Sequence, residues 1–464
     1  MHNKSKHLFN TVIDLTEGPI LKGISIFCIP LLLGQIMQQL YNLADAYVIG
    51  HFASISEFAA VSSTGSLSFF VIGFFAGMSV GGGVIISKYF GAKDEKNVER
   101  AIHTNFLFGI IASVVGTIVG ELIISWLLTL MDTPGTVMPY ATLYLRIIFG
   151  GISMNVMYNI CMAIMRALGD SVSPLIFLGV SSILNIGLDF LLVGLFGMGV
   201  AGAAVATVMS QAVSVVFCVL RMTAYKDEYM KLKFKAIKWH GSMMKEVVLQ
   251  GIPTGIQNSV ISIGNMTIQK NVNDFGDAAM AGMGAYHKIE GFVFLPINCL
   301  SMALPTFVSQ NLGARKYDRA KRGATGSLIL GMAFSELIGF VMFWGSHPLL
   351  KFFISDETSI EYGMIHARVT SLFFLLLAFS HCAAGVMRGC GKSVVPMVTM
   401  LAFWCIFRVT YVTVAIRLFP VFQTISWAYP ITWSLSSIVF ILFLLFSDWT
   451  HSFEKSENKI GSKA

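Results

Sequence analysis

Charge is what this chain has least of. Only 12% of its 464 residues are Asp, Glu, Lys or Arg, against 55% hydrophobic, and the mean hydropathy is +0.72. That balance excludes an ordinary soluble domain, about a quarter of whose residues are charged. Cysteine is sparse as well. The seven, at 28, 161, 218, 299, 382, 390 and 405, are scattered within or at the ends of apolar runs, with no CxxC or other metal-ligand spacing. The pattern argues against a disulfide framework and a thiolate metal site, and reads as reduced packing residues. No nucleophile–base set or metal cluster has convincing spacing, so an intramembrane enzyme finds no support. The first 20 residues are polar, with no cleavable signal pattern ahead of the first apolar run.

What the chain does have is apolar runs long enough to cross a bilayer, which takes about 20 residues each. Twelve are expected, near 24–50, 58–87, 101–130, 140–165, 174–194, 198–220, 246–272, 281–310, 324–345, 361–387, 393–416 and 425–447. It also repeats itself at an offset of 222 residues. Ser87, Gly91, Ala92 and Arg100 recur as Ser309, Gly313, Ala314 and Arg322, and Arg146 recurs as Arg368. The stretch from Met165 to Pro174 recurs from Met387 to Pro396, matching at Met, Arg, Gly, Ser and Pro. The expected fold is an all-α polytopic membrane protein of twelve transmembrane helices, in two six-helix lobes facing each other, a common transporter design. Residues 1–222 form the first lobe, 223–245 a basic linker, and 246–464 the second lobe with a short tail.

The net charge of +7 sits almost wholly in alternate loops. With the N-terminus inside, the inward segments hold 25 of the 32 Lys and Arg, the outward loops only Lys351 and Arg417, and the spans the other five. The positive-inside rule therefore puts both termini in the cytoplasm of an integral plasma-membrane protein. An even number of spans per lobe makes the two copies run in the same direction, so the pseudo-twofold lies normal to the membrane. The same rule accounts for the basic segment 221–245 without nucleic acid. Small organic molecules and lipid are the expected partners of a chain working as a monomer.

Acids inside a membrane are costly, and this makes them functional candidates. Asp45 closes a polar row on the first span: Gln35, Gln38, Asn42, Asp45, all on one helical face and beginning five residues after Pro30. In the second copy Asn258, Ser262, Asn265 and Gln269 form a matching row, again five residues after Pro253. The rows read as two walls of one aqueous cleft. The fifth span carries Asn185 and Asp189 one turn apart, and the sixth carries Thr207. Counting helix rise places these groups and Asp45 at a similar depth, roughly 8–14 Å below the outer surface. Oxygen-only ligands suit a hard cation such as Na⁺; the same cluster suits a proton, since burial and a neighbouring carboxylate both favour the neutral acid. No other metal is expected.

Offset by 222, these positions become Thr267, Phe407, Tyr411 and Tyr429. The second copy keeps the scaffold and lacks the acids, so an ion-coupling site at Asp45, Asn185, Asp189 and Thr207 belongs to the first lobe alone. By contrast, Glu121 with Arg146, and Glu336 with Arg368, occur in both copies and read as ion pairs holding helices together. Lys270, His287, Lys288 and Glu290 form another polar group on the seventh and eighth spans, where Glu290 either neutralises Lys288 or helps line a substrate route. Gly73, Gly77 and Gly81 repeat every four residues, the pattern that lets membrane helices approach closely.

The run from Gln35 to Gly50, with its Tyr41-Asn42-Leu43-Ala44-Asp45, resembles the first helix of the multidrug and toxic compound extrusion (MATE) transporters. So do Leu184–Phe190 for the fifth helix, Gly199–Thr207 for the sixth, and the paired inner-loop motifs around Gly91, Gly313, Arg166 and Arg388. The resemblance covers nearly the whole chain. It implies a twelve-helix antiporter expelling organic, often cationic compounds in exchange for Na⁺ or H⁺, with Asp45, Asn185, Asp189 and Thr207 as the first-lobe cation site. Some members place an acid on the seventh or tenth helix, where this chain has Gln257, Asn258 and Ser262, and His381. The expected cycle is rocker-switch exchange, with Gln35, Gln38, Asn42, Asn258, Ser262, Asn265, Gln269, Lys288 and Glu290 as candidates for lining the substrate cleft. The 25 Met and 37 Phe offer adaptable apolar contacts. A flippase for lipid-linked or polysaccharide precursors is the alternative, although it would want a cationic cavity for phosphates and the polar rows here are mostly neutral.

Overall fold

The computed structural model describes residues 12–130 and 133–455, the side chains at 55, 66–69, 130, 262, 263 and 266 excepted. Helices carry the described chain, and the one strand-like contact is an isolated bridge between Val12 and Asp170. In order they are α1 (Ile20–Phe52), α2 (Ile55–Gly91), α3 (Glu95–Leu130), α4 (Met138–Gly150), α5 (Ile152–Ala167), α6 (Val172–Asp189), which continues as a π-helical turn (Phe190–Leu195), and α7 (Gly199–Thr223). Two short 3₁₀ turns, Glu228–Met230 and Phe234–Ala236, occupy the basic segment. Then come α8 (Gly241–Asn273), α9 (Asp277–Gly313), α10 (Tyr317–Lys351), α11 (Glu357–Ser371), α12 (Phe374–Gly389) and α13 (Val394–Met400). A second π turn (Leu401–Phe407) leads into α14 (Arg408–Leu418), and α15 (Phe422–Phe446) follows.

In hydrocarbon a backbone amide finds no water, so helices that satisfy their own hydrogen bonds are the economical solution. Nine helices among the described residues are long and apolar enough to cross a membrane. Two further spans arise where α4–α5 bend by 45° and α11–α12 by 58°. α8 has the length, 33 residues, but its Gln250, Gln257, Asn258, Asn265 and Gln269 lower its hydropathy.

The repeat is visible in the backbone. α9 begins and ends 222 residues after α2, and α12 does the same after α5. Lys93 and Arg315, also 222 apart, are the two non-glycine residues with positive φ among the described residues, each 56°. They turn the chain between α2 and α3 and between α9 and α10. Gly169 (φ 89°) and Gly391 (φ 75°) are likewise paired, and a Cβ on Gly169 would sit 2.2 Å from the Ile13 carbonyl. Each of these inner-motif loops is tied to a chain end: Ile13 N–H donates to Gly169 O at 3.0 Å, and the Ser452 hydroxyl to Cys390 O at 2.7 Å.

The chain divides into two compact units, one built on Ser25–Gly255 and one on Ile256–Ala464 with Gly18–Ile24. The division falls inside α8 rather than in the basic segment 223–245. Its cause is close packing of the first half of α8 on α2. A Cβ on Gly77 would lie 2.5 Å from Thr254 O, and one on Gly81 2.4 Å from the backbone at Gln250 and Gly251. From the other side, a Cβ on Gly251 would lie 2.9 Å from Met78 O and one on Gly255 2.7 Å from Phe74 O. Glycine at alternate turns of both helices is what lets the two backbones meet.

In the first unit, α2, α3, α5 and α7 enclose an apolar core that includes Phe75, Ile86, Phe106, Phe149 and Met165. The second unit buries Tyr286, Phe307, Phe374, Trp433 and Phe440. The expected ion pairs are not formed: among the described residues, neither Glu121 with Arg146 nor Glu336 with Arg368 makes a salt bridge. Arg146, Arg368 and Glu121 are exposed, and Glu336 serves a helix bend instead. Glu121 Oε1 lies beside Gly150 at the α4–α5 break. Glu336 Oε2 accepts from Leu375 N–H at 3.0 Å, in the first turn of α12. A break in a membrane helix frees backbone donors, and a nearby carboxylate answers one of them more cheaply than burying a full ion pair would.

Replacing Glu336 by Ala strands the Leu375 amide and is expected to cost about 1–2 kcal/mol of stability. Glu336→Gln keeps an acceptor and should cost less. Thermal unfolding of detergent-purified protein compares them; equal losses would show that the charge, not the acceptor, matters.

Candidate functional site

The site lies wholly within the first unit, where α1, α6 and α7 bring polar groups to one place. The register of α7 is fixed at its start. Ser54 and Glu57 form a capping box at the head of α2, and Glu57 Oε1 also accepts from Val200 N–H at 3.3 Å, in the first turn of α7. Gly199 has φ 53°, and a Cβ there would collide with Glu57 Oε1 at 1.7 Å. One carboxylate thus caps two helices and sets the height of Thr207, two turns further along α7.

At that height the four groups singled out in the sequence meet. Asp189 is fully buried and Asn185 nearly so, while Asp45 and Thr207 are half-buried. With its amide turned to satisfy both neighbours, Asn185 donates to Asp189 Oδ2 at 2.8 Å and accepts from Thr207 N–H at 3.3 Å. The carboxyl groups of Asp45 and Asp189 lie close enough to act on each other electrostatically. The remaining oxygen of each, Oδ1 in both cases, is buried with no hydrogen-bond partner among the described residues. No Lys, Arg or His side chain there forms an ion pair with either acid.

Two neighbouring carboxyl groups with buried oxygens and no basic partner repel each other when both are ionised, and a proton or a cation between them relieves that repulsion. The donor set is all oxygen: two carboxylates, an amide carbonyl one side-chain rotation away, and a hydroxyl. It fits a small hard cation as well as it fits a proton.

Two further side chains stand near the site. The Tyr41 hydroxyl is 3.4 Å from Thr207 Oγ1, and Tyr144, on α4, is within electrostatic reach of Asp45, Asp189 and Tyr41. Tyr41 stands one turn before Asp45, so its position was readable from helical spacing. Nothing local in the sequence marks Tyr144. The π turn begins immediately after Asp189. Such turns loosen the carbonyl ladder and recur at functional positions in helices.

The candidates for substrate contact are placed less uniformly. Gln38 and Asn42 are exposed on α1, whereas Gln35 is half-buried and engaged. In the second unit Asn258 is half-buried and engaged, and Asn265 is exposed. Gln269 donates to Asn273 at 3.0 Å, while the side chain of Ser262 is outside the described residues. Glu290 does not neutralise Lys288. It is buried, bonded to the Tyr286 hydroxyl at 3.3 Å and to His287 Nδ1 at 3.0 Å. Lys288 is exposed and lies over the Phe353 ring, 5.8 Å from its centroid.

Removing one of two facing acids relieves an uncompensated buried charge. Asp189→Asn should therefore not lower the thermal midpoint at alkaline pH and should raise it by about 1 °C for each kcal/mol relieved, as expected for a chain this size. Asn185→Ala removes two hydrogen bonds and should lower it. Destabilisation by both substitutions would mark the cluster as purely structural.

The comparisons with known proteins agree on lineage. The family model MatE matches residues 30–191 and again 253–412, one match in each copy of the repeat. The probable multidrug resistance protein YoeA of Bacillus subtilis is 27% identical over 398 residues, covering 84% of this chain and 86% of that protein. The probable multidrug resistance protein NorM of Thermotoga maritima is 28% identical over 403 residues, covering 86% of each. The multidrug export protein MepA of Staphylococcus aureus is 22% identical over 376 residues, covering 81% of this chain and 83% of that one. Among solved structures, a MATE protein in the bent conformation matches with TM-score 0.86 at 20% identity, over 97% of this chain and 99% of that one. An outward-facing multidrug resistance MATE transporter of the MOP superfamily matches with TM-score 0.85 at 21% identity, over 93% and 96%. These two likenesses bear on the fold. Taken with the paired match of the family model over more than half its length, they place the chain in the MatE family, that of the multidrug and toxic compound extrusion transporters.

Proposed function

We propose that this protein is a secondary antiporter that exports small amphipathic organic compounds, cationic ones among them, in exchange for Na⁺ or H⁺ bound at Asp45, Asn185, Asp189 and Thr207. The observation that carries the reading is the facing pair Asp45–Asp189, buried in a membrane lobe with one oxygen of each left unanswered. The names of relatives as multidrug resistance and export proteins support the direction and breadth of transport.

In the proposed cycle the pair alternates between two states of charge. With a proton or Na⁺ bound, the cluster is close to neutral and its transit through a drier, closed state costs less. Asn185 bridges Asp189 to the backbone of α7, and Tyr41 reaches Thr207. Binding or release at the acids therefore bears on the position of α1 relative to α6 and α7. The exposed Gln38 and Asn42 stand on the same helix as Asp45, so a shift of α1 alters their contacts with substrate. A coupling ion drives exchange only through such differential affinity between two conformations. The inward and outward states belong to rocker-switch exchange by two repeat-related lobes, with both termini cytoplasmic in keeping with the distribution of Lys and Arg.

Purified protein in proteoliposomes should expel a fluorescent organic cation when a Na⁺ or pH gradient is imposed separately, and the effective gradient names the coupling ion. Asp45→Asn, folded as judged by its unfolding transition, should lose gradient-driven efflux by tenfold or more. Unimpaired efflux by that variant overturns the assignment of the coupling site.

A further inference from the structure

The 222-residue offset carries the carboxylate site of the first unit onto α8, α14 and α15 of the second, at Thr267, Phe407, Tyr411 and Tyr429. The acids are gone, and in their place the second unit has buried a cation. Arg408, three residues before Tyr411, is 1% exposed and among the largest fully buried side chains of the protein. It forms no salt bridge among the described residues. Its Nε and Nη2 donate to Thr432 Oγ1 at 3.2 and 2.7 Å, and Nη1 donates to Asn265 Oδ1 at 3.4 Å. The guanidinium is flanked by the rings of Tyr429 and Trp404, with centroids 4.7 and 5.1 Å away. Of five N–H groups, three meet neutral oxygens and two remain.

A guanidinium removed from water is stabilised fully only by an oxyanion that takes its fork, and aromatic faces with a hydroxyl are weak substitutes. Within the unit Glu290 acts on Arg408 electrostatically without forming an ion pair with it, its carboxylate being held by Tyr286 and His287. A π turn adjoins each site, on opposite sides of it. One ends at Phe407, immediately before Arg408, and the other begins immediately after Asp189. Asn265, which accepts the longest of the three bonds, is exposed on α8. Gly264 stands beside it, and a Cβ there would lie 2.5 Å from Trp404 O.

We propose that Arg408, screened by Asn265, is an anion-recognising site of the second unit that takes the carboxylate or comparable oxyanion of a transported organic molecule. The substrates would then include zwitterionic and anionic amphiphiles as well as cations. The proposal rests on the transport reading given above and deepens it. Lipid headgroups are poor candidates, because Arg408 stands ten residues from the nearer end of the Val394–Leu418 span, roughly 15 Å of helix.

Rhodamine 110 and its methyl ester, rhodamine 123, differ only in the free carboxylate, so the ratio of their affinities for purified protein isolates the anion contribution. Fluorescence polarisation should show the wild type binding the acid about tenfold tighter than the ester, the worth of one charge-assisted pair. Arg408→Gln should abolish the preference, Arg408→Lys should keep part of it, and Asn265→Ala should raise it by exposing the fork. No preference in the wild type, no binding of the acid, or a preference unchanged by Arg408→Gln overturns the proposal. Should that variant fail to fold, Asn265→Ala carries the test, and an unaltered ratio there overturns it. The binding assay needs no gradient, so an intact ratio with no efflux would count against the exchange reading alone.

Discussion

Two carboxyl groups that face each other where water is scarce set the conditions for the first unit. Asp45 and Asp189 gain nothing from a basic partner, because none stands against them, and each keeps one buried oxygen unanswered. A protein holds such an arrangement only if the rest of the scaffold is rigid enough to enforce it. Here the enforcement is visible in the doubly used Glu57, which caps α2 and the head of α7, and in Asn185, which ties Asp189 to the α7 backbone. The cost of the acid pair is met by hydrogen bonds and packing around it, and a small cation or a proton relieves that cost directly.

The same economy governs one of the bends. A helix that breaks inside a membrane exposes donors, and at the α11–α12 break this chain answers one with a single acid, Glu336, rather than with an ion pair. Close approach is managed by glycine in turn: α2 and the first half of α8 meet backbone to backbone because no Cβ intervenes at Gly77, Gly81, Gly251 or Gly255. Arg408 is the counterpart in the second unit of the acid pair in the first. It too sits beside a π turn, and it too forms no ion pair among the described residues. The repeat has kept the architecture of a charged site while reversing its sign.

Much of this was legible from the sequence because the duplication can be read residue by residue. The offset of 222 fixed which helices correspond, and α2 with α9 and α5 with α12 match it at both ends. Helical spacing and depth brought Asp45, Asn185, Asp189 and Thr207 to one level, since each needed only the rise of its own helix. What spacing cannot supply is rotation about the helix axis relative to neighbours. Glu121 and Arg146 share a depth, yet both stay exposed and form no ion pair. Glu290 reaches its own-helix neighbours Tyr286 and His287 rather than Lys288, which points out over Phe353. Tyr144 and the burial of Arg408 depend on tertiary packing from distant segments, and no local pattern announces either.

The central claim is that Asp45 and Asp189 together hold one exchangeable positive charge. Infrared difference spectroscopy of the reconstituted protein tests it most directly, by following the carbonyl stretch of a protonated carboxyl group as pH and Na⁺ are varied. The account predicts one such band in the absence of Na⁺, lost as pH rises and shifted or lost in Asp45→Asn and in Asp189→Asn. Displacement of the band by Na⁺ at constant pH would identify Na⁺ as a ligand of the same pair. A band absent throughout, or one indifferent to both substitutions, would contradict the claim.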